Sequence, residues 1–96
     1  NDVAVAARVL QAMRLVIKML VIDLDVHQGD GTAEIFRGDG AVYTFSMHCE
    51  DNFPVRKQAG DRDVGLAAGT GDAIYLEILA AHLDDILSGP APDLVF

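Results

Sequence analysis

Apolar residues along this chain follow two kinds of pattern, and their alternation sets the expected order of elements. After Asp2, a residue type that caps helices, Val5, Val9, Leu10 and Met13 recur at helical spacing, so a first helix is expected near the start. The run MLVI, 19–22, is instead continuously apolar, as in a strand covered on both sides within a parallel sheet. A short helix over 31–36, a turn at Gly38-Asp39-Gly40 and a second strand over 41–46 (AVYTFS) are expected next. Residues 48–60 are polar with one proline and read as a loop, followed by a short strand over 63–66. The clearest helical pattern carries Leu76, Leu79, Leu83, Ile86 and Leu87, with Thr70 or Asp72 as cap and Gly89-Pro90 as the stop. DLVF, 93–96, reads as a last strand. Strands separated by helices imply right-handed crossovers, hence an α/β fold: a parallel sheet with helices on both faces. The segment MRLVIK, 13–18, is more apolar than a surface connection requires, and the pattern gives no account of it.

Composition narrows the function classes. The chain has 96 residues, 51% hydrophobic and 23% charged, which describes a folded domain or part of a larger one. A net charge of −8 argues against direct nucleic-acid binding, since neutralising phosphates takes a basic surface. No apolar run approaches the roughly 20 residues of a membrane span, because Lys18 breaks 15–22. A lone cysteine, Cys49, forms no internal disulfide and suits a reducing, cytoplasmic compartment. The chain opens on Asn and ends within an apolar run, so it is expected to be an internal segment, cut at both ends.

Chemistry concentrates in VIDLDVHQGDGTAEIF, 21–36. In an extended chain alternate residues point the same way, which would put Asp23, Asp25 and His27 on one side and Leu24 and Val26 on the other. The cluster follows a strand, where open α/β sheets bind ligands. Carboxylate oxygen and imidazole nitrogen are zinc donors, and a catalytic zinc takes three protein ligands and a water. Asp25 and His27 could supply two, with Asp23 behind them or on another cation. The plainer reading makes Asp23 and Asp25 turn or capping residues, with His27 merely in the loop. Two imitations fail. A calcium loop counted from Asp23 to Glu34 has Gln28 where glycine is required, and Gly69-Thr70-Gly71 is explained by helix capping without a phosphate.

Three segments in consistent order, DLDVHQGDGTAEIF, VYTFSMHCEDNFPVRK and DVGLAAGTGDAIYLEIL, resemble the zinc-dependent histone deacetylase family, which includes acetylpolyamine amidohydrolases. The resemblance covers nearly the whole chain, and HQGDG and NFP point to its bacterial or class IV-like branch. It implies that residues 1–96 are the central part of one arginase/deacetylase-like catalytic domain, incomplete at both ends. It further implies zinc ligation by Asp25 and His27, with Asp23 and Asp30 orienting a pair of catalytic histidines. A potassium ion would take the carbonyls of Asp25, His27 and Met47 and the side chains of Asp23 and Ser46. A second potassium would take the carbonyls of Phe36, Asp39, Val42 and Arg62. Phe53 would wall the acyl-lysine channel, and the substrate would be acetyl-lysine or an acetylated polyamine-type amine.

The family's histidine pair is expected before Asn1, its third zinc ligand and oxyanion tyrosine after Phe96, so the isolated chain is expected to be inactive. Tyr43 and Tyr75, in a strand and a helix, do not stand in for that tyrosine. His48 and Cys49 are left out as ligands, because the family does not use those positions, and His82 is expected at the surface of its helix. Ala67 and Ala68 stand where relatives often carry proline. Two alternatives remain: a truncated or degenerate cation-binding module without catalysis, and an arginase-type metallohydrolase. Arginase-type enzymes carry an aspartate two residues after the metal-binding histidine, where this chain has Gly29.

Overall fold

A computed structural model describes all 96 residues. Seven elements follow in order: α1 (Asp2–Ala12), β1 (Met19–Asp23), α2 (Asp30–Ile35), β2 (Val42–Cys49), β3 (Arg62–Leu66), α3 (Asp72–Leu87) and β4 (Leu94–Val95). The strands form one parallel sheet in the order β3-β2-β1-β4, with Met19 opposite Val42, Asp23 opposite Ser46 and Asp63 also opposite Ser46. No helix is long and apolar enough to cross a membrane.

Strand alternation divides the core in two. On one face Met19, Val21 and Val42 pack with Ala4 and Ala7 of α1 and with Phe36. On the other, Phe45, Met47 and Leu66 pack beneath Tyr75, Ile78, Leu79, Leu83 and Ile86 of α3. Because β3 and β4 are opposite edges, α3 has to cross the sheet between them. The expected α/β fold with a helix layer on each face is therefore what the chain adopts.

Several details depart from the sequence pattern. Asn1, not Asp2, caps α1: its side chain accepts the Ala4 N–H at 3.0 Å and donates to Thr32 Oγ1 at 2.7 Å. The expected stripe of α1 faces outward, with Val5, Val9 and Met13 exposed, while Ala4 and Ala7 meet the sheet. Small side chains allow the helix backbone to approach the strands closely, which outweighs the larger transfer gain of valine. In α3, Leu76 and Leu87 are exposed, and Gly71 is the cap residue, with no side-chain cap bond. Thr70 Oγ1 instead donates to the Ala67 carbonyl. His82 is half-buried rather than superficial, its ring 5.9 Å from that of Phe45. His48 and Cys49 belong to β2, so the expected loop is shorter than its polar composition suggested.

The apolar connection 13–18 now has an explanation. Arg14 turns the chain at a positive φ of 55°, Val16 packs against the α1-side core, and the Asp93 carboxylate accepts the N–H groups of both Ile17 and Lys18. The connection is thereby fastened to the start of β4, with Leu15 and Ile17 left exposed.

Candidate metal centre

Regular strand geometry ends at Asp23, and the next residues turn on their own side chains. Asp25 N–H donates to Asp23 Oδ1 at 3.0 Å, and His27 N–H donates to Asp25 Oδ1 at 2.8 Å. These are the local bonds that Asp makes in turns, so the plainer reading of both acids holds as local structure. It does not compete with ligation, because the same turns carry Asp25 Oδ1 to 3.0 Å from His27 Nδ1, with both side chains open to solvent. Convergence thus comes from two successive turns rather than from strand alternation, and Leu24 and Val26 are exposed instead of packed. The loop is anchored where Cys49 N–H donates to the Val26 carbonyl at 2.9 Å.

The donor pair suits a borderline metal ion. The His27 N–H bond, followed by the imidazole, holds the Asp25 carboxyl below its ordinary value of 3.8, so it is an anionic donor at neutral pH. Donors bound about 2.0 Å from one tetrahedral ion sit roughly 3.3 Å apart, close to the separation here. No group of three His, Cys, Asp or Glu side chains gathers in this chain, so a catalytic zinc at this pair would need a further donor from elsewhere. Edge-on beside His27 lies the Phe53 ring, 6.3 Å away at 73°, in a loop whose Phe53–Pro54 peptide is cis.

Beneath the pair, polar groups fill the end of the sheet. Gly29 N–H donates to Ser46 Oγ at 3.2 Å, and a Cβ at position 29 would lie 2.4 Å from Asp23 Oδ2, so any side chain there would displace that carboxylate. Asp23 and Ser46 are cross-strand partners and Met47 follows, which brings these three residues of the first potassium set to one corner of the sheet. Asp30 opens α2, where its carboxylate accepts the Gly31 N–H. Of the second set, Phe36, Asp39 and Val42 form one compact turn: the Phe36 carbonyl accepts from Asp39 and the Asp39 carbonyl from Val42. Arg62 begins β3 opposite Phe45, and its side chain pairs with Asp85 at 2.6 Å.

Sequence reasoning missed Gln28, His48, Asp61 and Asp63. Gln28 is buried, and its amide donates to the Gln58 carbonyl at 2.6 Å and to Asp63 Oδ1 at 2.9 Å while accepting the Gln58 N–H at 2.8 Å. Asp61 Oδ2 accepts both the N–H and the hydroxyl of Thr44. The alternate acids Asp61 and Asp63 were the available signal, repeating the spacing of Asp23 and Asp25.

The model of the histone deacetylase domain family matches residues 1–96. An uncharacterized protein of Picosynechococcus sp. is 58% identical over all of this chain, which spans 32% of that protein. Histone deacetylase 6 of Caenorhabditis elegans is 35% identical over 88% of the chain and 9% of its own length. Histone deacetylase 7 of Homo sapiens is 34% identical over 94% of the chain and 10% of its own length. The chain therefore spans about a third, or about a tenth, of the relatives it matches.

Proposed function

The chain belongs to the histone deacetylase domain family, and from that premise we propose that it is the central segment of a zinc-dependent deacetylase domain that hydrolyses acetyl-lysine or acetylated polyamine-type amides. The observation that carries this reading is the approach of Asp25 Oδ1 and His27 Nδ1 to 3.0 Å just beyond the end of β1. When bound there, zinc supplies Lewis acidity toward an amide carbonyl and an acidified water. Asp25 offers its carboxylate, already anionic, and His27 its Nδ1, whose hydrogen bond to that carboxylate would give way to zinc. Asp23 and Asp30, beside them at the start of the loop and at the head of α2, are the acids that would orient histidines from elsewhere in the domain. Phe53 sets an apolar ring beside His27, which suits an alkyl arm reaching the metal. Acetate and a free amine would be the products.

Asp23, Ser46 and the carbonyls of Asp25, His27 and Met47 would offer only oxygen donors, which suit a hard alkali cation, and we read them as a potassium site, supported by the Asp23–Ser46 pairing. The turn at Phe36, Asp39 and Val42, with Arg62, is read as a second and weaker one. A two-metal arginase-type centre is disfavoured, because position 29 has no room for a ligating side chain against Asp23. The lone, half-buried Cys49 is compatible with a cytoplasmic setting.

His27→Ala in the complete protein tests the assignment. Zinc content and deacetylation of an acetyl-lysine peptide should both fall, the latter by roughly a hundredfold or more. Unchanged turnover with a full zinc complement would overturn it, and a natural protein that holds zinc without hydrolysis would make the chain part of a cation-binding module.

A further inference from the structure

On the α1 side of β2, two buried side chains lead from the metal loop to an exposed carboxylate. Ser46 is 6% exposed and His48 is 2% exposed. Ser46 Oγ accepts the Gly29 N–H at 3.2 Å and lies 3.0 Å from His48 Nδ1, while His48 Nε2 lies 3.8 Å from Glu50 Oε2. The last distance is long for a direct hydrogen bond. Its carboxylate is exposed, at 60% for the side chain, but lies over Gly65, the cross-strand partner of His48, where a Cβ would collide with Glu50 Oε2. The order Glu, His, Ser is that of a serine hydrolase, but Ser46 is buried beneath Gly29 and no acyl group reaches it.

We infer that His48 is a positioning residue for the alkali-cation site: the Glu50 carboxylate keeps the ring hydrogen on Nε2, and Nδ1 takes the Ser46 hydroxyl hydrogen. A hydroxyl has one hydrogen and two lone pairs. With its hydrogen on His48, one Ser46 lone pair serves the Gly29 N–H and the other is left for the cation. The opposite tautomer would occupy both lone pairs and aim the hydroxyl hydrogen at the cation, which repels it. The inference rests on the potassium reading of Ser46 given above, and its test separates the two.

In the complete zinc-loaded protein, the nitrogen chemical shifts of His48 should be pyridine-type at Nδ1 and pyrrole-type at Nε2. The reverse assignment, or two pyrrole-type nitrogens, overturns the inference whatever the cation does. The rise in unfolding temperature with potassium chloride, at ionic strength held constant with tetramethylammonium chloride, then gives a half-saturation concentration. It should increase about tenfold in His48→Phe, the scale of one lost hydrogen bond, and return toward wild type in His48→Asn, whose carbonyl accepts where Nδ1 does. A loss in Ser46→Ala without a change in His48→Phe overturns the role of His48 alone. No potassium response in the wild type overturns the site itself, and this inference with it.

Discussion

The two faces of β2 are made differently. Toward α3, Phe45 and Met47 are buried in an apolar layer. Toward α1 and α2, the alternate residues begin with Val42 and then become polar: Thr44, Ser46 and His48, all buried. One face gains its stability from apolar area, the other from partners, since no buried side-chain polar atom is left without a hydrogen bond. A strand beside the candidate loop thus keeps its apolar packing on one side and gives the other to hydrogen-bonded polar side chains.

That contrast is broken most severely on the apolar side. Phe45→Ala should cost about 3–5 kcal/mol in urea unfolding of the complete protein, since the ring is fully enclosed beneath α3. A loss below about 1 kcal/mol would mean that α3 is not what stabilises the sheet. On the polar side, Gln28→Leu keeps the volume and removes three bonds, stranding the Gln58 backbone and Asp63. About 1–3 kcal/mol should be lost, together with some zinc affinity, whereas Phe45→Ala should leave that affinity largely intact in the folded fraction. The smallest effect concerns Asp39, whose carboxyl is held below its ordinary 3.8 by the Ala41 N–H, then by Gln11 and Arg8. A depressed folded value stabilises above the unfolded one and is lost as the pH falls through the folded one. Stability should therefore decline below about pH 4, and Asp39→Asn should flatten that decline; an identical acid limb in the variant would remove Asp39 from the account.

Much of this was legible in the sequence for a local reason. Continuous apolar runs mark buried parallel strands, and the acids at 23 and 25 with His27 mark the polar loop after β1, although the turns that bring Asp25 and His27 together do not follow from their spacing in a strand. What stayed hidden depends on distance along the chain or on fit. Gln28 and Gln58 meet across 30 residues, and nothing local in either names the other. His48 looked like loop because polar residues count against a strand, yet its bond to Ser46 makes it a buried strand residue. The core face of α1 was misread because valine outranks alanine in hydrophobicity, while close approach to a sheet favours alanine.

The amide of Gln28 meets the Gln58 backbone at two points, as one strand meets another. It ties the residue after His27 to the segment that carries Phe53. The two loops consequently move as one piece, and selection on either is felt by the other. On the deacetylase reading proposed above, substitutions that reshape the 52–60 loop for a longer or bulkier acyl group should trade off against metal retention, so a broadened substrate range would be reached only with compensating changes around Gln28.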